Sequence, residues 1–66
     1  MPLKQFALFS DGEGGPLWRE FFSSLDDAKR KGRECAETEA VEFFIFSFKE
    51  ETEIMRFFPP PTKPQG

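Results

Sequence analysis

The segment that most constrains the fold covers residues 41–58 and reads VEFFIFSFKEETEIMRFF. It contains six of the ten phenylalanines in a chain of 66 residues. Aromatic and β-branched residues are typical of strands, and the charged tripeptide at 49–51 separates two such runs. The segment therefore predicts an antiparallel hairpin with strands at 41–48 and 52–58. We expect most of the hydrophobic core to be built on this hairpin.

The predicted hairpin has two unlike faces. A turn of two or four residues predicts a register in which Phe46 lies opposite Met55 and Ile45 lies opposite Arg56. One face is almost entirely hydrocarbon and is expected to lie beneath a helix: Phe44, Phe46, Phe48, Met55 and Phe57. The other is mostly apolar but includes a cation: Val41, Phe43, Ile45, Ile54, Arg56 and Phe58. A one-residue shift would move Arg56 into the hydrocarbon face, which argues against that register.

The N-terminal third predicts a second hairpin. Residues 3–9 and 17–22 have the length and aromatic content of strands. Residues 10–16 contain three glycines and a proline, which indicates a loop between them. Simple alternation in the second strand would place Trp18, Glu20 and Phe22 on one face and Leu17, Arg19 and Phe21 on the other.

A helix is predicted at residues 24–38. Ser24 can cap its N-terminus, and two aspartates follow in the first turn, where the helix dipole favours negative charge. One narrow stripe at helical spacing consists mostly of small residues: Leu25, Ala28, Gly32, Cys35 and Ala36. A glycine in the middle of a helix costs roughly 1 kcal/mol relative to alanine. Gly32 therefore indicates a close approach between this helix and large phenylalanine side chains of the sheet.

These elements predict an α+β fold in the order β-β-α-β-β, with a small four-stranded antiparallel sheet and one helix packed on one face. Residues 1–58 are expected to form a single compact domain. Residues 59–66 contain four prolines and predict a flexible C-terminal tail. The pattern Pro61-x-x-Pro64 matches a minimal proline-rich recognition motif, although such short patterns are common in disordered tails.

Composition excludes several functional classes. The net charge is −3, without the basic footprint of a protein that binds duplex nucleic acid. With no histidine and one cysteine, the chain can form neither an intramolecular disulfide nor a Cys/His zinc site. No apolar run reaches the roughly 18 residues of a membrane span, and we expect a cytoplasmic protein. We predict no catalytic residue, no metal and no cofactor, and no small-molecule substrate is evident.

Three local features have both a functional and a structural interpretation. The basic residues at 29–33 could bind phosphate, but acidic residues at i,i+4 spacing favour a solvated helix face with paired charges. In the segment 11–15, the glycines could cradle phosphate and the carboxylates of Asp11 and Glu13 could hold calcium. The following helix and the roughly six to eight oxygen ligands that such sites require are missing, so a hairpin loop is favoured. Cys35 has no histidine to activate it and is interpreted as a small buried apolar group.

The hairpin face that includes Arg56 has no evident cover, since one helix can cover only one face of a small sheet. The loop at 10–16, the tail or an edge strand could fold over it, but exposed apolar surface usually marks an interface. We predict a non-enzymatic interaction or regulatory protein that binds itself as a homodimer, or binds another protein. The predicted contact residues are Phe43, Ile45, Ile54, Arg56 and Phe58. The alternative is a binder of single-stranded nucleic acid that stacks bases on the same face, which the acidic balance opposes.

Overall fold

The computed structural model describes residues 3–61. Its elements, in chain order, are β1 (Phe6–Gly12), β2 (Gly15–Phe22), α1 (Leu25–Glu39), β3 (Glu42–Ser47) and β4 (Thr52–Phe57). The four strands form one antiparallel sheet with the order β2-β1-β3-β4. The predicted α+β fold and its β-β-α-β-β order are confirmed. The central strands are β1 and β3, and the edges are β2 and β4.

The first hairpin is tighter than predicted. Its turn consists of Glu13 and Gly14 alone, because the strands extend through most of the predicted loop at 10–16. The extension follows from strand order, since β1 pairs with β2 on one side and with β3 on the other. Asp11 therefore has a partner in each neighbouring strand, and Gly15 provides the positive φ of +91° that directs the chain back.

The helix begins and ends within one residue of its predicted bounds. Ser24 is the N-cap, and its Oγ accepts a hydrogen bond from the backbone N–H of Asp27 at 3.4 Å. At the other end, Ala40 adopts the left-handed conformation with φ of 58°, and its N–H donates to the carbonyl of Ala36 at 3.0 Å. Among the described residues, no helix has both the length and the apolar character required to cross a bilayer.

The small residues of the helix allow close contact with the sheet, as predicted. Ala28, Gly32 and Ala36 are buried, and Leu25 and Cys35 pack at the border of the core. A Cβ atom at Gly32 would lie 2.6 Å from Cε2 of Phe57 and 3.2 Å from Cδ1 of Leu8. Gly32 is therefore required because the Phe57 ring occupies the space of its missing side chain.

The predicted assignment of the β3 faces is wrong. Phe43 and Ile45 are fully buried in the core beneath the helix, with Met55 and Phe57 packed beside them. Phe44 and Phe46, which were expected beneath the helix, lie on the opposite face. The assignment of Met55 and Phe57 to the helix side is confirmed, but Ile54 in β4, which the prediction places with Arg56, also packs against the core.

The cause is a register one residue away from the predicted one. Phe44 pairs with Arg56 and Ile45 pairs with Met55, and an irregularity follows between Ile45 and Phe46. The turn covers residues 48–51 and closes on Ser47, whose carbonyl accepts from the N–H of Glu51 at 2.7 Å. The Ser47 hydroxyl also accepts from the N–H of Glu50 at 3.2 Å, so this buried serine stabilises a turn that begins early.

The last described residues follow β4 without regular structure. Phe58 is 68% exposed, and the three prolines at 59–61 continue the chain beyond the sheet. Residues 62–66 of the predicted tail lie outside the described residues, and so does most of the Pro61-x-x-Pro64 pattern.

Candidate functional site

The sheet surface opposite α1, here called the helix-free face, has aromatic side chains on three of its four strands. Cross-strand partners share a face, and one row of partners connects Trp18 in β2, Phe9 in β1, Phe44 in β3 and Arg56 in β4. The rings of Phe9 and Phe44 are stacked, with centroids 5.1 Å apart and planes inclined by 5°. This row forms the floor of the face, and Phe44 is buried within it.

Four aromatic side chains stand in a continuous group on this face, here called the aromatic cluster: Trp18, Phe21, Phe46 and Phe48. Ring centroids are 5.0 Å apart for Trp18 and Phe21, 5.9 Å for Phe21 and Phe48, and 5.6 Å for Phe46 and Phe48. The rings are inclined to one another by 45–70°, a geometry that aromatic pairs favour. These contacts join β2, β3 and the turn after β3 into one surface.

Most of the aromatic cluster is open to solvent. Trp18 is 49% exposed, Phe21 43% and Phe48 46%. Single exposed apolar residues are ordinary on protein surfaces, but a contiguous apolar group is characteristic of an interface. The cluster is therefore the described surface with the strongest physical reason to be covered by another molecule.

The other half of the helix-free face is occupied by Arg56 and three carboxylates, here called the arginine cluster. Nη1 of Arg56 donates to Asp11 in β1 and to Glu42 in β3, both at 2.8 Å. Nε and Nη2 donate to the two carboxylate oxygens of Glu53 at 2.9 and 2.7 Å. The guanidinium carbon lies 5.0 Å from the centroid of the Phe44 ring. One side chain thus connects the edge strand β4 to both central strands.

The electrostatics of this cluster follow from its unequal charges. Hydrogen bonds from Arg56 lower the pKa of Glu53, and the bonds to Glu53, Asp11 and Glu42 raise the pKa of Arg56 further above its ordinary value. Three carboxylates surround one guanidinium, which leaves an excess of negative charge at this end of the face. Arg56 is consequently committed to bonds within the chain and has little capacity to hold an external anion.

The structure does not bring the predicted contact residues together on one open surface. Phe43 and Ile45 are completely buried beneath α1, and Ile54 packs against the same core. Arg56 lies on the helix-free face as expected, and Phe58 is exposed beyond the end of β4. An uncovered aromatic face does exist, but β2 and the alternate residues of β3 form it.

The sequence prediction missed all four residues of the aromatic cluster: it places Phe46 and Phe48 beneath the helix, and it gives no role to Trp18 and Phe21. Simple alternation placed them on opposite faces, but the register of β1 with β2 shifts between Leu8 and Phe9, and Arg19 is the extra residue. This bulge brings Trp18 and Phe21 to the same side. The signal for it was weak in the sequence, because a charged residue within an aromatic strand is compatible with regular alternation as well.

The bulged Arg19 lies on the helix side of β2. It forms two hydrogen bonds to the carboxylate of Glu39, at 2.7 and 2.6 Å, and its guanidinium carbon lies 5.2 Å from the Phe43 ring centroid. The hydrogen bonds from Arg19 lower the pKa of Glu39, and they raise the pKa of Arg19. This pair connects β2 to the C-terminal end of the helix.

The basic segment of the helix and Cys35 agree in part with their structural interpretations. In the basic segment of the helix, Arg30 pairs with Asp27 at 3.3 Å and Lys31 with Glu34 at 3.6 Å, at i,i+3 rather than the expected i,i+4 spacing. Cys35 is half-buried beside the core, and burial raises the pKa of its thiol, which disfavours the reactive thiolate. No group of metal-ligating side chains is present within residues 3–61.

The chain matches no protein-family model, no curated protein and no solved structure.

Proposed function

We propose that this chain is a small, non-enzymatic interaction or regulatory protein of the cytoplasm, which binds itself or another protein through the helix-free face. The observation that supports this is the exposure of the aromatic cluster. Trp18, Phe21 and Phe48 each keep more than two fifths of their surface exposed, whereas the core residues on the other side of the sheet are almost completely buried: Leu8, Phe43 and Ile45. Buried aromatic side chains dominate binding energy in protein interfaces.

The construction of the cluster suits recognition. Its rings are held by one another and by a sheet whose central strands are buried, so little side-chain freedom remains to be lost on binding. Favourable free energy from burying the rings is therefore not offset by a large ordering cost. The adjacent arginine cluster provides a polar, hydrogen-bonded border, as interface rims commonly do.

Single-stranded nucleic acid is the alternative ligand, because exposed rings on a sheet can stack bases. The charge on this face opposes it. Three carboxylates surround Arg56 and hold its N–H groups, whereas a strand of nucleic acid requires cations that are free to contact phosphate. A protein surface is compatible with both the aromatic and the acidic half of the face.

Site-specific photo-crosslinking in the native cells tests the proposal directly. A photoreactive phenylalanine analogue replaces Phe21 in one variant and Arg33, on the exposed surface of the helix, in the matched control. We expect a protein adduct, with the chain itself or with another protein, from position 21 and none from position 33. Absence of an adduct at 21, or equal adducts at both positions, would contradict the proposal.

The emission of Trp18, the single tryptophan, tests the nucleic-acid alternative. We expect no change on titration with an oligothymidine at low salt. Quenching at low salt that disappears at high salt would instead support base stacking on this face.

A further inference from the structure

We propose that a second copy of this chain pairs antiparallel along β2, at the aromatic edge of the helix-free face, about a two-fold axis between Arg19 and Glu20. This inference rests on the proposed function and identifies the bound protein as a second copy of the chain. The dimer would contain one continuous eight-stranded sheet, with the aromatic clusters of the two copies adjacent at the seam.

The first observation is that β2 exposes large apolar side chains on both of its faces. Trp18 and Phe21 lie on the helix-free face, whereas Leu17 pairs with Ser10 on the helix side and is 66% exposed. A partner lying flat on the helix-free face would leave Leu17 in water. Successive side chains of a strand point to opposite faces of the sheet. A strand added beside β2 would therefore contact β2 side chains on both faces.

The second observation is the position of the bulge. A two-fold axis perpendicular to a sheet keeps every side chain on its own face, so a residue can pair only with a residue of the same face in the second copy. In a regular strand Trp18 and Phe21, three residues apart, would lie on opposite faces and could not pair. The bulge at Arg19 places both on the helix-free face and so permits this register.

The third observation is that β2 is complementary to itself in this register. Trp18 would lie opposite Phe21 of the second copy, and Leu17 opposite its Phe22, so apolar residues meet on each face. At the centre, Arg19 would lie opposite Glu20 of the second copy, and both are on the helix side, where Glu20 pairs with Leu8. These two central residues are opposite in charge. Arg19 keeps its two hydrogen bonds to Glu39 of its own copy, so the attraction across the axis acts at longer range than a direct ion pair.

Bulges in edge strands usually discourage pairing because they interrupt the regular spacing of the edge. Two copies of the same bulge, related by a two-fold axis, interrupt both edges at the same point, and the spacing matches again. A single pair of edge strands buries less than the roughly 1,200 Å² that is typical of tight complexes. We expect a reversible dimer with a dissociation constant in the micromolar range.

Sedimentation velocity of the full chain across the micromolar range is the first measurement. We expect a shift from monomer to dimer, accompanied by a blue shift of Trp18 emission as its ring becomes covered. A monomer at every concentration overturns this inference. It leaves the proposed function standing, because the crosslinking experiment at Phe21 can still detect a different protein.

Charge exchange at the axis tests the register itself. Glu20→Arg places two cations opposite each other across the seam and should weaken the dimer by at least tenfold. Glu13→Arg, in the exposed turn, makes the same change of charge away from the seam and should leave the dimer unaffected. Thermal melting followed by circular dichroism verifies that both variants remain folded.

Mixing two variants completes the test. Arg19→Glu combined with Glu39→Arg inverts the pair between β2 and the helix while preserving its attraction. This double variant should not associate with itself but should form a heterodimer with the Glu20→Arg variant, since opposite charges then meet at the axis. Dimerisation that is insensitive to Glu20→Arg, or failure of the mixture to associate, overturns the proposed register.

Discussion

Both edge strands of the sheet, β2 and β4, expose unpaired backbone N–H and C=O groups that can pair with another chain. The two strands are protected against such pairing to different degrees. β4 is six residues long, its side chains include the charged Glu53 and Arg56, and three prolines follow soon after its end. β2 is eight residues long and exposes Leu17, Trp18 and Phe21. Charges, short length and proline are the devices that keep edge strands from pairing with other chains. β4 is short and charged, with prolines just beyond its end. β2 also contains Pro16 and the charged Arg19 and Glu20, but it is longer and exposes three large apolar side chains.

The two edges also differ in how they are attached to the domain. β4 inserts Phe57 beneath Gly32 of the helix and extends Arg56 to β1 and β3. The ion pair that joins β2 to the helix is formed by Arg19 and Glu39. The contrast shows that the number of aromatic residues in a strand does not determine whether it faces the core or solvent. The position of each bulge and the strand order determine it.

The largest effect on stability is expected from Gly32→Ala, which disrupts the contact between the helix and β4. The new Cβ would overlap the Phe57 ring at 2.6 Å, so the helix or β4 must move. We expect destabilisation of about 1–3 kcal/mol, in spite of the better helix propensity of alanine. Urea denaturation measures the free energy of unfolding.

Gly14→Ala is the matched control for this glycine substitution. A Cβ at Gly14 would meet nothing within 4 Å, so its effect should be small. Equal destabilisation by the two substitutions would contradict the interpretation of Gly32 as the point of closest helix–sheet contact.

The next largest effect is expected from Arg56→Met, which leaves Asp11, Glu42 and Glu53 without their common cation. We expect a clear decrease in Tm at neutral pH. Arg30→Met is the control, because Arg30 is exposed and forms a single 3.3 Å pair in its helix. It should change Tm little.

The effect of Arg56→Met should depend on pH in a defined direction. Because Arg56 lowers the pKa of Glu53, the native chain gains stability above the ordinary pKa of 4.5 and loses it as pH falls through the lowered native value. The difference in Tm between the native chain and the variant should therefore shrink in acid. A difference that stays constant from neutral pH to well below 4.5 would show that packing of Arg56 on Phe44, rather than charge, is responsible.

A smaller effect is expected from Arg19→Met, which removes the ion pair between β2 and the helix. Both partners of this pair are more than one third exposed. Exposed pairs contribute about 0.2–1 kcal/mol and are screened by salt. We expect a loss of stability in this range that decreases as salt is added. A loss larger than that of Gly32→Ala would indicate that β2, not β4, is the more strongly attached edge.

The smallest effect on stability is expected from Leu17→Lys, which adds a charge to the less protected edge, β2. Leu17 is 66% exposed, so the free energy of unfolding should change by no more than about 0.5 kcal/mol. The same change should nevertheless prevent the proposed dimer, as lysine does on natural edge strands. Thr52→Lys on β4 is the control, and it should alter neither stability nor association. If both lysines reduce association equally, the distinction between the edges is wrong.

Much of the architecture could be predicted from local sequence, because local chemistry specifies it. Ser24 and the two aspartates after it mark the start of the helix, and the small residues around Gly32 indicate a helix pressed onto aromatic rings. Both predictions are confirmed. The candidate site could not be predicted in the same way, because it depends on which face of each strand is covered.

The sequence by itself determined the number, type and order of the elements and the close contact at Gly32. Only the tertiary structure decided which phenylalanines are core and which are surface. β3 reads EFFIFS and is apolar at adjacent positions, so its alternation does not distinguish its two faces. Two features determine which β3 side chains lie beneath the helix. One is the early turn at Ser47, and the other is the strand order, which places Asp11 beside Glu42 so that both accept hydrogen bonds from Arg56. The position of Arg56 argues against this register in the local sequence, but carboxylates from three strands stabilise the cation there.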